Sequence, residues 1–359
     1  MTSSRPRTPR RLRQISRIAR LAAAGPPWAL LLAGVAATAL LLMPSLLAPY
    51  PLLILSYILV YAIAGLALNF LYGTAGSLSL GHATYFGVAA YAGAFMYRFS
   101  FVDSLELYLA FGILTAVLFA AAIGFFCVRT TKIQFAILTL AFSMLVHSVV
   151  VNGAIFRLLG GVGWALYLLG GGSMYLPRLT FLGAQVAPGA FVPVFFRVIV
   201  AGFLASALAL WTLSRSPFGG ALRAIRDNET RAAFIGIRVR QYRWAAFVVS
   251  GLFMGLAGSL YGQLARQITP DQLHWLLSAQ LVIVIVLGGT RRFLGPVLGA
   301  CVYVGLEEWT SHLAVGRYFA FGVLLIVVVR AFPAGMAGAC VGLWEWARRA
   351  WGAALVRRR

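Results

Sequence analysis

One stretch of this chain reads Pro51-Leu-Leu-Ile-Leu-Ser-Tyr-Ile-Leu-Val-Tyr-Ala-Ile-Ala-Gly-Leu-Ala-Leu-Asn-Phe-Leu-Tyr72 and contains no charged side chain. The hydrocarbon core of a bilayer is about 30 Å thick, so a helix needs about 20 consecutive apolar residues to cross it. The stretch therefore predicts a transmembrane helix. Similar apolar runs lie near residues 27–48, 84–98, 106–127, 134–153, 189–213, 244–265, 275–290, 294–311 and 317–334.

Together these runs predict an all-α, polytopic membrane protein with about ten transmembrane helices. The runs at 84–98 and 275–290 are short for a crossing, which gives a range of roughly eight to ten. Composition agrees, since 61% of the 359 residues are hydrophobic and only 11% are charged. Soluble globular domains carry about 25% charged residues, so an ordinary soluble protein is excluded.

The formal net charge of +22 would suggest a nucleic-acid partner in a soluble protein. When the spans alternate from a cytoplasmic amino terminus, however, 24 of the 30 Lys and Arg residues fall in cytoplasmic segments. Membrane proteins concentrate basic residues on that side. The charge therefore indicates an orientation with both termini cytoplasmic, and we expect no nucleic-acid partner.

The same topology divides the chain into three parts. Residues 1–26 form a basic cytoplasmic segment, residues 27–334 a transmembrane domain with a cytoplasmic loop at 214–243, and residues 335–359 a basic tail. The tail is suited to lying on the inner leaflet, where membrane lipid attracts basic residues.

The first apolar run has an alternative interpretation, because Arg10-Arg11 precedes it and resembles a twin-arginine export signal. The run from Pro27 to about Ala48 is longer than the apolar region of roughly 7–15 residues that a signal peptide contains. We therefore interpret it as the first membrane anchor.

The cytoplasmic loop from Ser216 to Ile237 is the most informative segment. Its spacing predicts one short amphipathic helix that ends at Gly236, with Leu222, Ile225, Ala232 and Ala233 on the apolar side and Arg223, Arg226, Asp227, Glu229 and Arg231 on the polar side. Asp227 and Arg231 would form a favourable i,i+4 pair. The helix is either a solvated loop element or a docking element for a cytoplasmic partner.

The segment Gly73-Thr-Ala-Gly-Ser-Leu-Ser-Leu-Gly-His-Ala-Thr-Tyr-Phe-Gly87 interrupts the apolar pattern with four glycines, two serines and a histidine. Irregular backbone at membrane depth is tolerated only where protein or a water-filled cavity covers it, and transporters often build substrate sites there. The alternative is a tight turn between two spans, in which His82 is a hydrogen-bonded structural residue.

Residues for catalysis, metal binding or ion coupling are sparse. The chain has eight Asp and Glu residues, with Glu307 and Glu308 predicted at the outer end of a span, where they fit interface capping better than acid–base chemistry. It has no P-loop or nucleophile elbow, and its three cysteines are scattered without metal-ligand spacing. We expect no cofactor, no metal and no enzymatic activity, and any ATPase must be a separate chain.

Three groups of segments resemble the permease subunits of the branched-chain amino-acid family of ABC importers, and in particular the larger of the two permease partners. They are Leu66–Gly73 with Ser77–His82; Phe135-Ala-Ile-Leu-Thr-Leu-Ala-Phe142; and Ser216–Gly236 continuing into Ala257-Gly-Ser-Leu-Tyr261, Val286-Leu-Gly-Gly289 and Gly295-Pro-Val-Leu-Gly299. The resemblance covers roughly residues 60 to 335.

This resemblance implies a solute pathway between two homologous permeases in a bacterial inner membrane, two cytoplasmic ATPase subunits and a periplasmic substrate-binding protein. The residues expected to couple to the ATPase are Arg223, Arg226, Asp227, Glu229, Arg231 and Gly236. The residues expected along the substrate pathway are Ser77, Ser79, His82, Phe135, Thr139 and Phe142.

The chain departs from the family pattern at Lys132 and Gln134, and at Gly160-Gly-Val-Gly-Trp164 in the following outer loop. The substrate is therefore open between branched-chain amino acids and other small polar solutes such as urea and short amides. An ion-coupled secondary transporter is the alternative from another transport class, and a membrane enzyme is a third.

Overall fold

The structure, a computed structural model, describes residues 27–100, 104–130, 132–152, 174–176, 180–181, 187, 189–313, 316–333, 335–339 and 342. Most of these residues are in α-helices. The chain forms two compact units, Met1–Leu47 and Ala48–Arg359. The first contains α1 (Pro27–Leu46). The second contains α2 (Pro49–Asn69), α3 (His82–Ser100), α4 (Leu105–Cys127), α5 (Lys132–Asn152), α6 (Phe191–Arg215), α7 (Pro217–Asp227), α8 (Glu229–Phe234), α9 (Val239–Ala265), α10 (Trp275–Gly288), α11 (Gly295–Ser311) and α12 (Arg317–Ala331).

The all-α, polytopic membrane architecture is confirmed. Each of the ten predicted apolar runs is helical, and six helices in the described residues are long and apolar enough to cross a membrane. Their ranges are Pro49–Thr74, Leu105–Cys127, Lys132–Val151, Phe191–Arg215, Val239–Ala265 and Tyr318–Ala339. Helices α10 and α11 are shorter, with 14 and 17 residues. The number of crossings and the cytoplasmic side of both termini stay predictions.

Helix α9 lies at the centre of the second unit and packs against α2, α3 and α4. Its Gly251, Gly255, Gly258 and Gly262 recur at helical spacing and form one ridge. A Cβ atom at Gly255 would meet the Cβ of Ala116 on α4, and one at Gly258 would meet the backbone of Phe86 on α3. Glycine has no side chain and so lets membrane helices approach closely, which explains why α9 is so rich in glycine.

A small strand ladder joins loops at one end of the helices. β1 (Met174–Tyr175) pairs antiparallel with β2 (Gln267–Ile268), and the Leu176 N–H donates to the Arg266 carbonyl oxygen at 2.9 Å. A 3₁₀ turn, Pro270–Leu273, then leads into α10. The loops predicted to lie outside the membrane therefore meet at this end.

Several predictions fall on other parts of the chain. The basic segment 1–26, most of the glycine-rich loop between Gly153 and Pro188, and the tail from Trp344 lie outside the described residues.

Candidate functional site

The loop between α6 and α9 folds as two short helices, so the expected single helix is wrong. Ser216 caps α7 by accepting a hydrogen bond from the Gly219 N–H at 3.4 Å. At Asn228 the backbone is extended, with φ −159° and ψ 106°, and its side-chain oxygen accepts from the Arg231 N–H at 2.9 Å. Asparagine is a favoured helix cap, so Asn228 both ends α7 and starts α8. Residues 216–237 are named the coupling segment below.

This break also rearranges the expected ion pairs. Asp227 and Arg231 lie in different helices, and Asp227 instead contacts the adjacent Arg226 at 3.5 Å. Glu229, at the start of α8, contacts Arg243 of α9 at 3.3 Å. Because the Arg243 side chain is only 9% exposed, this second pair is partly shielded from water and fastens α8 to α9.

The amphipathic pattern of the coupling segment is present. Leu222, Ile225 and Ala232 are buried, whereas Ala233, which was grouped with them, is exposed. The residues predicted to couple to an ATPase are all exposed: Arg223, Arg226, Asp227, Glu229, Arg231 and Gly236. Gly236 adopts a φ of +88°, a conformation that favours glycine, and it follows the end of α8.

Two further residues of this surface were missed by the sequence analysis. Phe234 and Ile235, at the end of α8, are 86% and 71% exposed. They lie beside charged residues in a loop, and the helical pattern had assigned neither of them to a side of the helix. An exposed apolar pair with a charged rim is typical of a protein–protein contact.

The coupling segment contacts the membrane helices through Arg226. Its guanidinium donates a hydrogen bond to the main-chain carbonyl of Gly73. Gly73 belongs to the π-helical turn Phe70–Thr74 that ends α2. The Arg226 side chain also fills the space that a Cβ at Gly76 would occupy, and Gly76 has a φ of +70°. One residue of α7 therefore contacts the point at which α2 stops being an α-helix.

Residues 70–81, named the broken segment, lead into a buried polar cluster centred on His82. The Nδ1 atom of His82 lies 2.7 Å from the Ser79 hydroxyl, and its Nε2 lies 2.8 Å from the Ser250 hydroxyl. Ser250 in turn donates to the Ala67 carbonyl at 2.6 Å. Both ring nitrogens are thus occupied by protein groups, which supports a structural role for His82 in this conformation.

The other residues predicted along the substrate pathway divide into two groups. Thr139 accepts a hydrogen bond from the Leu80 N–H at 3.2 Å, and Phe135 packs edge-on against Phe247, so both border the cluster. Ser77 is also buried. Phe142 instead stacks on Phe126 with ring centroids 6.2 Å apart. The role of all six residues in the pathway stays a prediction.

The predicted outer end of α11 places its two carboxylates differently. Glu308 accepts a hydrogen bond from the Tyr50 hydroxyl and lies 3.7 Å from His312. Glu307 lines two cavities, and Glu308 lines one of them. Within the described residues no group of His, Cys, Asp and Glu could hold a metal ion.

Comparison with known proteins identifies the type of molecule. A family model described as branched-chain amino acid transport system / permease component matches residues 50–329. The chain is 25% identical over 305 residues to the high-affinity branched-chain amino acid transport system permease protein LivM of Escherichia coli (strain K12), which covers 77% of this chain and 68% of LivM.

Two further relatives match shorter parts. The autoinducer 2 import system permease protein LsrC of Klebsiella pneumoniae is 32% identical over 154 residues, covering 37% of this chain and 44% of LsrC. The nucleoside ABC transporter permease protein NupC of Lactococcus lactis is 38% identical over 72 residues, covering 19% of this chain and 23% of NupC. No solved structure matches the chain.

Proposed function

We propose that this chain, which belongs to the family of branched-chain amino acid transport permeases, carries branched-chain amino acids or similar small polar solutes. As a member of this family it is a multi-pass ABC importer permease for small solutes and not an enzyme. In this proposal it pairs with a second, homologous permease in the bacterial inner membrane. Two cytoplasmic ATPase subunits and a periplasmic substrate-binding protein complete the importer.

The observation that supports this proposal best is the construction of the coupling segment. Its outer surface combines exposed charged residues with exposed Phe234 and Ile235, which suits a protein partner. Its inner surface is fastened to α9 by Glu229 and Arg243 and to the broken segment by Arg226. A partner that moves the outer surface therefore displaces two membrane helices at once.

The proposed mechanism is a shift between two arrangements of the permease pair. ATP binding by the partner favours one arrangement and hydrolysis favours the other, because the ATPase binds the two with different affinity. Arg226 transmits the movement to the end of α2. Substrate access then alternates between the two sides of the membrane.

Affinity purification of the tagged chain from its own membrane, followed by mass spectrometry, tests the assembly. We expect an ATPase, a second permease and an external binding protein to copurify. Replacing Phe234 and Ile235 with Ser removes the apolar part of the proposed contact and should strip the ATPase from the complex while leaving the second permease bound. Changing Arg223, Arg226 and Glu229 to Ala should do the same.

The matched control is Arg240→Ala, an exposed residue in the first turn of α9 outside the coupling segment. It should leave the ATPase bound. If the Phe234 and Ile235 variant retains the ATPase and its activity, the coupling surface is misplaced. If the chain purifies alone and transports in liposomes without ATP, the ion-coupled alternative replaces the importer.

Solute identity is tested by competition in vesicles that contain the whole complex. Excess unlabelled L-leucine should reduce uptake of labelled L-isoleucine, whereas urea and acetamide should not. Competition by urea or acetamide alone would assign the chain to the short-amide alternative.

A further inference from the structure

An apolar crevice lies between α3, α4 and α5. Its volume is about 410 Å³, and the described residues that line it come from these three helices and from Leu273 of the 3₁₀ turn. Tyr91, Val146 and Leu273 form its floor, because each of them is buried. Phe119 and Leu145 form its rim, because they are 39% and 57% exposed. We name this space the lateral crevice.

The crevice exists because α4 and α5 touch at one place and separate further along. Helix α4 packs extensively against α3 and α9 but only slightly against α5. The stacked rings of Phe126 and Phe142 are one contact between α4 and α5. The residues that line the crevice lie nearer to the start of α4 and to the end of α5, within 111–119 and 145–150. Helix α3 closes the back of the gap that remains.

The lining of the crevice is apolar. None of the described residues that line it is charged. The Thr115 hydroxyl donates to the Phe111 and Gly112 carbonyl oxygens of its own helix, at 3.0 and 2.9 Å. The Tyr91 hydroxyl is itself buried, so the aromatic ring contributes the accessible part of this side chain. The crevice therefore offers no polar group to a polar solute, in contrast to the cluster around His82.

The crevice lies at membrane depth. Its walls belong to the candidate spans Leu105–Cys127 and Lys132–Val151. Beside its rim, Leu114 and Leu118 of α4 are 54% and 58% exposed, so the crevice continues into a surface suited to lipid. An apolar cavity does not hold water, and an unfilled one loses the dispersion contacts of its walls. The material that fills the crevice must therefore be apolar.

We propose that the lateral crevice binds one acyl chain of a membrane phospholipid, inserted between α4 and α5 with its end against α3. An acyl chain is narrow and flexible enough to follow the crevice to its floor. A helix of another subunit is about 10 Å across and would reach only the rim. The bound chain completes the packing between α4 and α5. This inference concerns the lipid and does not rest on the proposed solute or on the ATPase.

Photo-crosslinking with a phosphatidylethanolamine that carries a diazirine in its acyl chain tests the site. The full-length chain, with whatever subunits copurify, is placed in nanodiscs of phosphatidylethanolamine and phosphatidylglycerol that contain this probe, and adducts are located by mass spectrometry after digestion. We expect adducts on Tyr91 and Val146 of the floor as well as on the exposed Leu118. Adducts confined to exposed residues would show that lipid covers only the surface and would overturn the proposal.

Variants that fill the crevice assign the adducts to it. Ala92→Phe places a ring in the crevice from α3 and should lower the yield of floor adducts by about tenfold, which corresponds to about 1.4 kcal/mol of binding free energy. Val149→Phe fills the same space from α5 and serves if the first variant does not fold. Ala141→Phe, on the exposed side of α5 and outside the lining, is the matched control and should leave the yield unchanged. An unchanged yield in a folded filling variant would contradict the assignment.

Protein is the competing occupant. In a second preparation, Leu145 on the rim is replaced by the photo-reactive residue p-benzoylphenylalanine. We expect the irradiated chain to gain the mass of a phospholipid. An adduct with a second permease, or with another part of this chain, would assign the crevice to protein packing and overturn the proposal.

Discussion

At the scale of single residues, Arg226 joins the coupling segment to the membrane helices by a contact with a main-chain atom. Its guanidinium donates to the Gly73 carbonyl, and its aliphatic part lies against Gly76. A hydrogen bond that involves a charged group contributes about 1.5–3 kcal/mol. Arg226 is therefore placed to transmit movement through a hydrogen bond that involves no side chain of α2.

Arg226→Ala should uncouple ATP hydrolysis from uptake. Losing about 1.5–3 kcal/mol of linkage shifts the equilibrium between transmitting and non-transmitting arrangements by roughly tenfold or more. The measurement is the ratio of solute uptake to ATP hydrolysed in proteoliposomes that contain the whole complex. We expect this ratio to fall while hydrolysis continues.

Arg240→Ala, an exposed change in the first turn of α9 and outside the coupling segment, is the matched control and should leave the ratio unchanged. An unchanged ratio in the Arg226 variant would contradict the role assigned to this contact. Loss of hydrolysis together with uptake would instead indicate that the ATPase no longer docks.

At the scale of helices, the glycine ridge of α9 sets the distance between the central helices. Gly251 lies against Ala120, and Gly255 lies against Ala116, where a Cβ on either glycine would overlap the alanine methyl group. Interiors packed this closely tolerate added volume poorly. The ridge explains why α9 combines a long span with a comparatively modest hydropathy.

Gly255→Leu should therefore destabilise the fold. Inserting a branched side chain into a filled helix contact costs about 1–3 kcal/mol or more. Gly305→Leu on α11 is the matched control, because nothing lies within 4 Å of a Cβ added there. Monodisperse recovery after solubilisation and the unfolding temperature should both fall for the first variant only; equal values would show that the ridge is not close-packed.

The helices were predictable from sequence because a membrane span needs a long apolar run, and all ten predicted runs are helical. The break in the coupling segment was not foreseen, since periodicity continues across Asn228 and only its capping ability signals the interruption. The partners of His82 could not be predicted, because Ser250 lies 168 positions further along the chain.

At the scale of the whole molecule, burial separates central from peripheral helices. The apolar windows of the α2 and α9 spans are 61% buried, whereas those of α4 and α5 are only 28% buried. Large apolar side chains of α4 and α5 are correspondingly exposed, among them Leu118, Phe125 and Ile137. These surfaces are suited to contact with lipid.

The positive-inside orientation predicts which ends of the helices face the cytoplasm. In a chain whose Cys127, Cys301 and Cys340 are replaced with Ser, Thr230→Cys in α8 should react with a membrane-impermeant maleimide only after the cells are permeabilised. Ser311→Cys at the end of α11 should react in intact cells. Reversed labelling would invert the topology, and labelling of both sites in intact cells would show an even number of crossings between them.

The contact between Arg226 and a main-chain carbonyl has an evolutionary consequence. Every residue type presents a main-chain carbonyl oxygen, so substitutions along α2 leave the hydrogen bond from Arg226 chemically intact. Gly73 and Gly76 are the exceptions, because a Cβ at Gly73 would lie 2.9 Å from the Thr290 carbonyl oxygen and one at Gly76 would overlap the arginine side chain. Substitutions that change solute preference and substitutions that change coupling to the ATPase can therefore occur at different positions in the proposed importer.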